Sequence, residues 1–348
     1  MKYLIDIVHP HFVYFFKETI FKLGKENVIV TCQNSGIITN LLDGLGIKYI
    51  VIGKKYESLF HKAIGQFLYL LKFIKLIREH RIDIVLGVSP GLALACRLSG
   101  AKMIFFDDDD SAVQPLTKKY SIPLSHYIIT PECLKYENYG EKHFTYRGYQ
   151  ELSYLAPKFF TPDESIIKKY QLEKYQYIIL RFNDFKAHHD VGHSGMPIEV
   201  KRKLINLLQE YAKVYITTEG TIDNEFEHLQ LNIKPELIHH IMHFALMYIG
   251  DSQTMASEAA VLGTPSIRCN TFKDKISYLK DLEYKYNLTF AFFPNESEKM
   301  ISKIKILLET PELKKLWQEK KEKMLSEMEN VNEYILNFIQ KLNKLKKL

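Results

Sequence analysis

The sequence alternates short β-like runs with longer helical patterns, and this alternation occurs twice along its 348 residues. In the first half, helical patterns over residues 12–23, 37–45, 67–80 and 93–99 separate apolar runs, which are YLIDIV, NVIVTC, KYIVIG, IDIVLGV and KMIFFD, followed by HYIIT and KHFTY. Strands that alternate with helices form parallel sheets with helices on both faces. We therefore predict an α/β protein with open, doubly wound parallel sheets.

A second series of predicted strands follows, namely YQYIILRF, AKVYITTE, LIHHIMHFALMYIGD, TPSIRC and LTFAF. Between the two series, RGYQELSYLAPKFFTPDE contains Pro157 and Pro162 and has no clear periodicity, which is typical of a linker. Since a domain has roughly 100–200 residues, we predict two Rossmann-like domains, over 1–160 and 170–325, and a helical tail over 326–348. The domains should face each other across a cleft, with the C-terminal helix packing across them.

The formal net charge is +6, from 47 Lys and Arg against 41 Asp and Glu. This modest excess suits phosphorylated metabolites or an anionic membrane surface. No nucleic-acid-binding module is recognisable, so we expect no nucleic acid partner. The longest apolar stretch, residues 67–77, contains two lysines and is shorter than the ~20 residues of a membrane span.

Cysteine spacing and the first residues indicate the compartment. The four cysteines are far apart, without a CxxC pair, which predicts neither a disulfide framework nor a structural zinc site; they are Cys32, Cys96, Cys133 and Cys269. The opening run MKYLIDIV is interrupted by Asp6 and ended by His9, unlike a signal peptide. We expect a cytoplasmic protein with reduced thiols and no transmembrane helix.

Ligands of open α/β sheets bind outside the carboxyl ends of the strands, so residues just after strands are the candidates. His9 and His11 flank Pro10 directly after YLIDIV and before a helix. A neutral His at such a turn can act as a general base. The alternative is that one of the rings caps or packs against the helix.

Four adjacent aspartates, Asp107 to Asp110, follow the predicted strand KMIFF. Their carboxylates repel one another, so the run should be exposed, have raised pKa values or meet a cation. A metal site is the weaker interpretation, because neighbouring side chains alternate in direction and no matching ligand cluster is evident. We predict that one or two of Asp107, Asp108 and Asp110 bind sugar hydroxyls or act as a base, and that no metal is bound.

Arg181 ends the predicted strand YQYIILRF, and Arg at such a place can bind phosphate oxygens through two donors. His188, His189 and Asp190 follow within a glycine-containing stretch, which indicates a loop that a ligand could order. Adjacent residues rarely ligate one ion together, so we assign these three to ligand binding rather than to a metal. A polar surface loop is the alternative.

The segment GDSQTMASEAAVLGTPSIR, residues 250–268, contains a strand end and then a helix that stops at Gly263. Helix N-terminal amides attract anions, which makes its start a candidate diphosphate site, with Glu258 placed to accept from ribose hydroxyls. An ordinary capped helix is the alternative. The predicted ligand-binding residues of this segment are Asp251, Ser252, Gln253, Thr254 and Glu258.

This segment resembles the donor-binding helix of GT-B glycosyltransferases and of non-hydrolysing UDP-N-acetylglucosamine 2-epimerases, through Asp251-Ser252, Glu258-Ala259 and Leu262-Gly263-Thr264-Pro265. Those proteins begin the helix with DSGG, whereas this chain has DSQT. Gln253 and Thr254 have side chains that limit how closely a diphosphate can approach the backbone, which implies a different donor or pose.

Nearly the whole chain resembles an uncharacterised prokaryotic family, domain of unknown function three-five-four, which is itself GT-B-like. The matching residues of the first half are His9-Pro10, Phe15-Phe16, residues 90–95, Phe106-Asp107-Asp108, Pro131-Glu132-Cys133, residues 146–149 and Glu151-Leu152. Those of the second half are Arg181-Phe182, Ala187, His189-Asp190, residues 250–265 and Tyr286-Asn287-Leu288. The chain departs from the family where Ser111 stands in place of a His.

The resemblance implies a GT-B-like, metal-independent glycosyltransferase that needs no cofactor and moves a sugar from a nucleotide diphosphate donor, UDP-sugar above others, to a cell-surface glycan or lipid-linked acceptor. Arg181 and the amides near Ser252 would hold phosphates, and His9, His11 or Asp107 would deprotonate the acceptor. A nucleotide-sugar 2-epimerase is the first alternative. The second is a protein that keeps the fold and binds nucleotide-sugar or polysaccharide without catalysis, which the Ser111 departure motivates.

Basic and aromatic residues alternate around the most apolar stretch and predict peripheral contact with the inner membrane face. Amphipathic packing against the core is the alternative. The residues are Lys54, Lys55, Lys62, Lys72, Lys75, Arg78 and Arg81, with Tyr56, Phe60, Phe67, Tyr69 and Phe73.

Overall fold

A computed structural model describes residues 1–53, 59–182, 196–218 and 222–345. The chain forms two compact units. Unit 1 contains Met1–Tyr154 together with the chain from Glu329 onward, and unit 2 contains Leu155–Met328. The division thus falls inside the predicted linker, before Pro157, and the last part of the chain returns to the first unit.

Unit 1 is built on a parallel seven-stranded sheet in the order β3-β2-β1-β4-β5-β6-β7. Its strands are β1 (Tyr3–Ile7), β2 (Val28–Gln33), β3 (Tyr49–Gly53), β4 (Ile84–Gly87), β5 (Lys102–Phe106), β6 (Tyr127–Pro131) and β7 (His143–Tyr146). The helices between them are α1 (Pro10–Leu23), α2 (Gly36–Gly44), α3 (Leu59–Glu79) and α4 (Pro90–Ser99), and α5 (Leu152–Leu155) lies at the unit boundary. Strand order reverses between β1 and β4, where such sheets open a crevice.

Unit 2 has a parallel five-stranded sheet in the order β12-β11-β10-β8-β9. The strands are β8 (Tyr177–Arg181), β9 (Lys213–Thr217), β10 (Met247–Gly250), β11 (Ser266–Cys269) and β12 (Thr289–Phe292). The helices are α6 (Glu164–Lys169), α7 (Ile198–Gln209), α8 (Ile238–Phe244), α9 (Gln253–Leu262), α10 (Ser277–Lys280), α11 (Ser297–Leu308) and α12 (Leu313–Glu327). Here the order reverses between β8 and β10. The doubly wound α/β architecture predicted from the sequence is confirmed.

The apolar run LIHHIMHFALMYIGD, predicted as one strand, forms a helix followed by a strand. Its first part is α8, and Ala245 ends that helix in an extended conformation. The amide of Leu246 then donates to the carbonyl of Tyr177, which brings the following residues into the sheet as β10. Both parts are buried, so apolar periodicity alone does not separate them.

The predicted tail, residues 326–348, contains a helix that is separate from the one before it. Helix α12 ends at Glu327, and α13 (Val331–Leu345) begins after Asn330, whose Oδ1 accepts from the amide of Glu333 at 3.2 Å. In α13, Val331, Ile335 and Ile339 are buried, and the Asn343 side chain donates to the Tyr3 hydroxyl at 2.8 Å. Helix α13 is therefore part of the core of unit 1, next to β1.

Lys314 on α12 is a buried lysine whose ammonium group satisfies three oxygens of unit 2. Its Nζ donates to Thr264 Oγ1 at 2.9 Å and to the carbonyls of His243 at 3.1 Å and Gly263 at 3.2 Å. These carbonyls lie at the ends of α8 and α9, where helices leave acceptors unpaired. Burial lowers the pKa of Lys314 well below its usual range.

We expect Lys314→Met to lower the free energy of unfolding of unit 2 by about 3 kcal/mol, because the buried acceptors lose their donor. Trp317 is the single tryptophan and is buried in α12, so urea unfolding followed by its fluorescence reports on unit 2. Lys315→Met is the matched control, since Lys315 is exposed and pairs with Glu312. Equal unfolding midpoints for the two variants would contradict the assignment.

Among the described residues, no helix combines the length and the apolar character that crossing a bilayer requires.

Candidate functional site

Two arginines lie on one row at the carboxyl edge of the sheet of unit 2. In register, Gly250 on β10 lies between Arg181 on β8 and Arg268 on β11. Residues at the same level of neighbouring parallel strands project from the same face of the sheet, so both guanidinium groups are on one face. Arg181 is 8% exposed and Arg268 is 1% exposed. The row lies at the reversal of strand order, where ligands of this fold class bind.

Gly250 keeps the space between the two arginines free of a side chain. A Cβ atom at this position would lie 2.6 Å from the Arg181 carbonyl oxygen and 2.6 Å from the Tyr248 hydroxyl oxygen. The Tyr248 hydroxyl therefore lies over Gly250. Burial, followed by the charge of Asp251, raises the pKa of Tyr248 well above its usual range, so this hydroxyl stays neutral.

Arg268 is a candidate that the sequence analysis missed, although it ends the predicted strand TPSIRC in the way that Arg181 ends its own strand. Within the described part of the chain, its Nε and Nη1 have no hydrogen-bond partner. Burial lowers the pKa of its guanidinium, with Tyr278 and Glu283 opposing that effect. A buried N–H group without an acceptor lowers the stability of the folded state. An anionic ligand could supply acceptors for Arg268.

The first turn of α9 is fixed to the strands on either side. Ser252 is the N-cap and its Oγ accepts from the amide of Met255 at 3.4 Å. The amide of Asp251 donates to the Arg181 carbonyl at 3.1 Å, and the Asn270 side chain donates to the Asp251 carbonyl at 2.8 Å. These bonds hold the helix start beside the arginine row, where N-terminal amides favour negative charge.

The other candidates of unit 2 divide into three groups. Gln253 and Thr254 are half-buried in the first turn of α9. Glu258 is buried further along that helix, where its Oε1 lies 3.0 Å from Nε2 of His239 on α8. The carboxylate of Glu258 therefore already contacts His239. Its ribose-binding role stays a prediction. His188, His189 and Asp190 lie outside the described residues.

In unit 1, the aspartate run follows β5 at the carboxyl edge of the sheet. Asp107 is buried, and burial, followed by the charge of Asp109, raises the pKa of its carboxyl well above the usual range. The pKa of Asp108 is raised by burial and then by Asp109, Glu151 and Asp107. Neighbouring carboxyls of this kind can share protons, so one donates while another accepts.

Two members of the run have separate partners. Asp110 accepts a hydrogen bond from the Tyr136 hydroxyl, and Asp109 accepts one from the Gln114 amide. Ser111, where the family resemblance implies a His, donates from its amide to Glu137 at 2.9 Å. Of the predicted catalytic aspartates, Asp107 and Asp108 therefore lie together, whereas Asp110 contacts Tyr136.

Glu151 is a second residue that the sequence analysis did not select for the site. It is 1% exposed and raises the pKa values of Asp108 and of the buried Tyr146 hydroxyl. The only signal in the sequence is its place in the Glu151-Leu152 pair of the family resemblance. Three carboxyl groups from two distant segments can thus act as a proton donor and acceptor set.

The two histidines after β1 have different surroundings. His9 is exposed and is the N-cap of α1, with its Nδ1 accepting from the His11 amide at 3.3 Å. His11 is buried, with Nδ1 2.9 Å from the Tyr154 hydroxyl and Nε2 2.7 Å from Gln150 Oε1. Both ring nitrogens of His11 therefore have partners within unit 1. A role as general base stays a prediction for His9 and for His11.

Asp6 is a buried carboxyl at the strand-order reversal of unit 1. Its Oδ1 accepts from Thr31 Oγ1 at 2.7 Å and its Oδ2 accepts from the Ser89 hydroxyl. Burial raises the pKa of Asp6 from 3.8 to about 6, although these two hydroxyls oppose the shift. The folded protein therefore binds this proton more tightly than the unfolded chain does.

We expect the free energy of unfolding to fall by about 2 kcal/mol through this group as the pH rises from about 4 to neutral, because the pKa is raised on folding. Asp6→Asn should remove that part of the pH dependence. Unfolding curves of both proteins by circular dichroism at pH 4 and neutral pH measure the difference. An identical pH dependence in the two proteins would show that Asp6 is not the titrating group.

Within the part of the chain that the structure describes, no three His, Cys, Asp or Glu side chains are grouped so that they could hold a metal ion.

Two doubly wound parallel sheets, each flanked by helices, define a GT-B-like, Rossmann-type α/β protein. The chain belongs to the family described as protein of unknown function, DUF354, whose model matches residues 1–340. No curated protein matches the sequence.

Solved structures share the fold at low sequence identity. MnaA of S. aureus, solved with UDP, is 14% identical with a TM-score of 0.73, covering 99% of this chain and 98% of that one. The UDP-GlcNAc 2-epimerase from Neisseria meningitidis, bound to UDP-GlcNAc, is 15% identical with a TM-score of 0.72, covering 98% and 100%. Spinosyn forosaminyltransferase SpnP is 13% identical with a TM-score of 0.59, covering 98% and 99%.

Proposed function

We propose that this protein is a glycosyltransferase that takes a sugar from a UDP-sugar and delivers it to a glycan or lipid-linked acceptor. The observation that carries the proposal is the row of Arg181, Gly250 and Arg268 beside the N-terminus of α9. Guanidinium groups and helix N-terminal amides are the donors that a leaving diphosphate needs. Two structures of the same fold hold UDP or UDP-GlcNAc, which supports this choice of donor.

In this proposal, the donor diphosphate binds at the first turn of α9. Amides near Ser252 and Gln253 donate to its oxygens, and Arg181 and Arg268 balance the charge that grows as the bond to the sugar breaks. No resident metal is required for that step, since cationic side chains and the helix dipole act on the same oxygens. Gln253 and Thr254 stand where related donor helices have glycine, so the diphosphate would lie further from the backbone.

Unit 1 would supply the acid–base groups. Asp107 is the proposed base for the acceptor hydroxyl, because a carboxyl with a raised pKa accepts a proton more strongly than an ordinary one once it is ionised. Asp108 and Glu151 would hold the proton after transfer.

Nucleotide binding tests the proposal directly. UDP should raise the midpoint of unfolding that Trp317 fluorescence reports. At a hundredfold excess over its Kd, UDP should stabilise the folded protein by about 2.7 kcal/mol. Arg268→Met should remove most of that shift. Arg202→Met is the matched control, because Arg202 is in the same unit but pairs with Glu199 and Glu225 at the surface. No shift of the wild-type protein with UDP, GDP or CDP would contradict the proposal.

A nucleotide-sugar 2-epimerase is the second candidate, favoured by the raised pKa values of Asp107 and Asp108 beside Glu151. Epimerisation needs paired acid and base groups acting on one sugar. Incubation with UDP-GlcNAc without any acceptor separates the candidates. An epimer of the donor would establish the epimerase, and UDP release that depends on an added acceptor would establish the transferase. Tight UDP binding without turnover against a broad acceptor panel would identify a binding protein.

A further inference from the structure

One face of unit 1 is covered by three neighbouring elements, α3, α4 and the π-helical turn Thr117–Ser121. Helix α4 packs between the other two. Their inner sides belong to a hydrophobic core cluster of the unit, with Phe73 and Ile77 from α3 and Leu92 and Cys96 from α4. Phe73, predicted above as part of a membrane-binding surface, is thus a core residue.

The outer sides of the same elements are also apolar. A surface helix normally has polar residues opposite its buried face, and contiguous exposed apolar side chains mark interaction sites. Seven large apolar residues on these elements, or directly before the turn in the case of Leu116, are between 36% and 59% exposed. We call them the α3–α4 surface: Phe67, Leu68, Leu71, Leu94, Leu98, Leu116 and Tyr120.

Positive charge is concentrated around this surface. Residues 67–81, 90–99 and 111–124 contain seven basic residues and one acidic residue, Glu79, whereas the whole chain has a net charge of only +6. Glu79 is itself paired with Lys75 at 3.6 Å, and Lys118 is paired at 3.5 Å with Glu137, which lies outside these ranges. The basic residues are Lys72, Lys75, Arg78, Arg81, Arg97, Lys118 and Lys119.

Other residues of the predicted membrane-binding stretch do not enter this surface. Tyr69 is half-buried against the core. Lys54, Lys55 and Tyr56 lie outside the described residues, as do the side chains of Phe60 and Lys62.

We propose that the α3–α4 surface docks unit 1 on an anionic lipid bilayer. Large aliphatic and aromatic side chains enter the headgroup region, and the surrounding lysines and arginines contact lipid phosphates. A second copy of the chain fits poorly, because two such surfaces would place basic side chains against one another. The docking is independent of the donor site in unit 2, so it stands or fails separately from the proposed function.

Vesicle flotation of the full chain tests the docking. We expect binding to phosphatidylcholine vesicles that contain phosphatidylglycerol, none to phosphatidylcholine alone, and weaker binding as salt is raised. The variant Phe67→Gln/Leu71→Gln/Leu98→Gln should lower the partition coefficient at least about tenfold, because its apolar contacts with the bilayer are lost. Lys75→Gln/Lys119→Gln should lower it by roughly thirtyfold through charge.

The matched control replaces exposed apolar residues of unit 2, as Ile306→Gln/Leu316→Gln, and should bind as the wild type does. All substituted side chains are exposed, so the variants should keep their melting temperatures. Equal recovery of the wild type with neutral and anionic vesicles would overturn the proposal. So would a dimer in light scattering that the triple variant dissociates while vesicle binding stays unchanged.

Discussion

Gly250→Ala is expected to weaken UDP binding at least about tenfold and to destabilise unit 2 by about 1–3 kcal/mol, because the added methyl group has no space. It would lie 2.6 Å from a backbone carbonyl oxygen and 2.6 Å from the Tyr248 hydroxyl. The strand must shift to relieve the clash, and the spacing of Arg181 and Arg268 changes with it. The UDP-induced shift of the Trp317 unfolding curve measures both effects.

Two further variants identify the cause. Gly44→Ala at the end of α2 is the control, because a Cβ there meets no atom within 4 Å. In the double variant Gly250→Ala/Tyr248→Phe, loss of the hydroxyl removes one of the two clashes and should restore part of the stability. If Gly250→Ala bound UDP as tightly as the wild type, the arginine row would not be the donor site.

Asp107→Asn is expected to lower turnover of the nucleotide-sugar by about 100- to 10,000-fold while leaving the UDP-induced stabilisation unchanged, because the amide cannot accept a proton. The raised pKa of Asp107 also determines how turnover depends on pH. A base must be ionised to act, so activity should rise with pH through a value well above the usual carboxyl range. The residual activity of Asp107→Asn should lack this rise.

Asp43→Asn is the control for this experiment, since Asp43 is an exposed aspartate of the same unit. Steady-state rates of donor consumption across the pH range give the comparison, whether the product is a transferred sugar or an epimer. Unchanged turnover in Asp107→Asn would remove Asp107 from the chemistry. A loss of UDP binding in that variant would instead indicate a folding defect.

The alternation of strands and helices could be predicted because each buried strand is a short apolar run of its own. That signal fails where two elements share one run, as α8 and β10 do. The boundary between α12 and α13 is a further case, because these two successive helices belong to different units. The break depends on Asn330 capping α13, a detail too local for a periodicity to reveal.

The position of the site residues at strand ends could be predicted from the sequence. The contacts that their side chains make with one another could be predicted less well. The rule that selected Arg181 applies equally to Arg268, which ends the predicted strand TPSIRC in the same way. Glu151 and His239 are different, because their partners Asp108 and Glu258 lie far away in the chain or on another helix. Such pairs arise only from tertiary packing, which a single sequence does not encode locally.

The return of α13 to unit 1 has a consequence for the order in which the chain acquires structure during synthesis. Unit 2 is continuous in sequence and can fold as it leaves the ribosome. Unit 1 must wait, because Val331, Ile335 and Ile339 of its core are translated after all of unit 2. Until then its first 154 residues lack one packing partner, so nascent chains stalled before residue 329 should be especially dependent on chaperones.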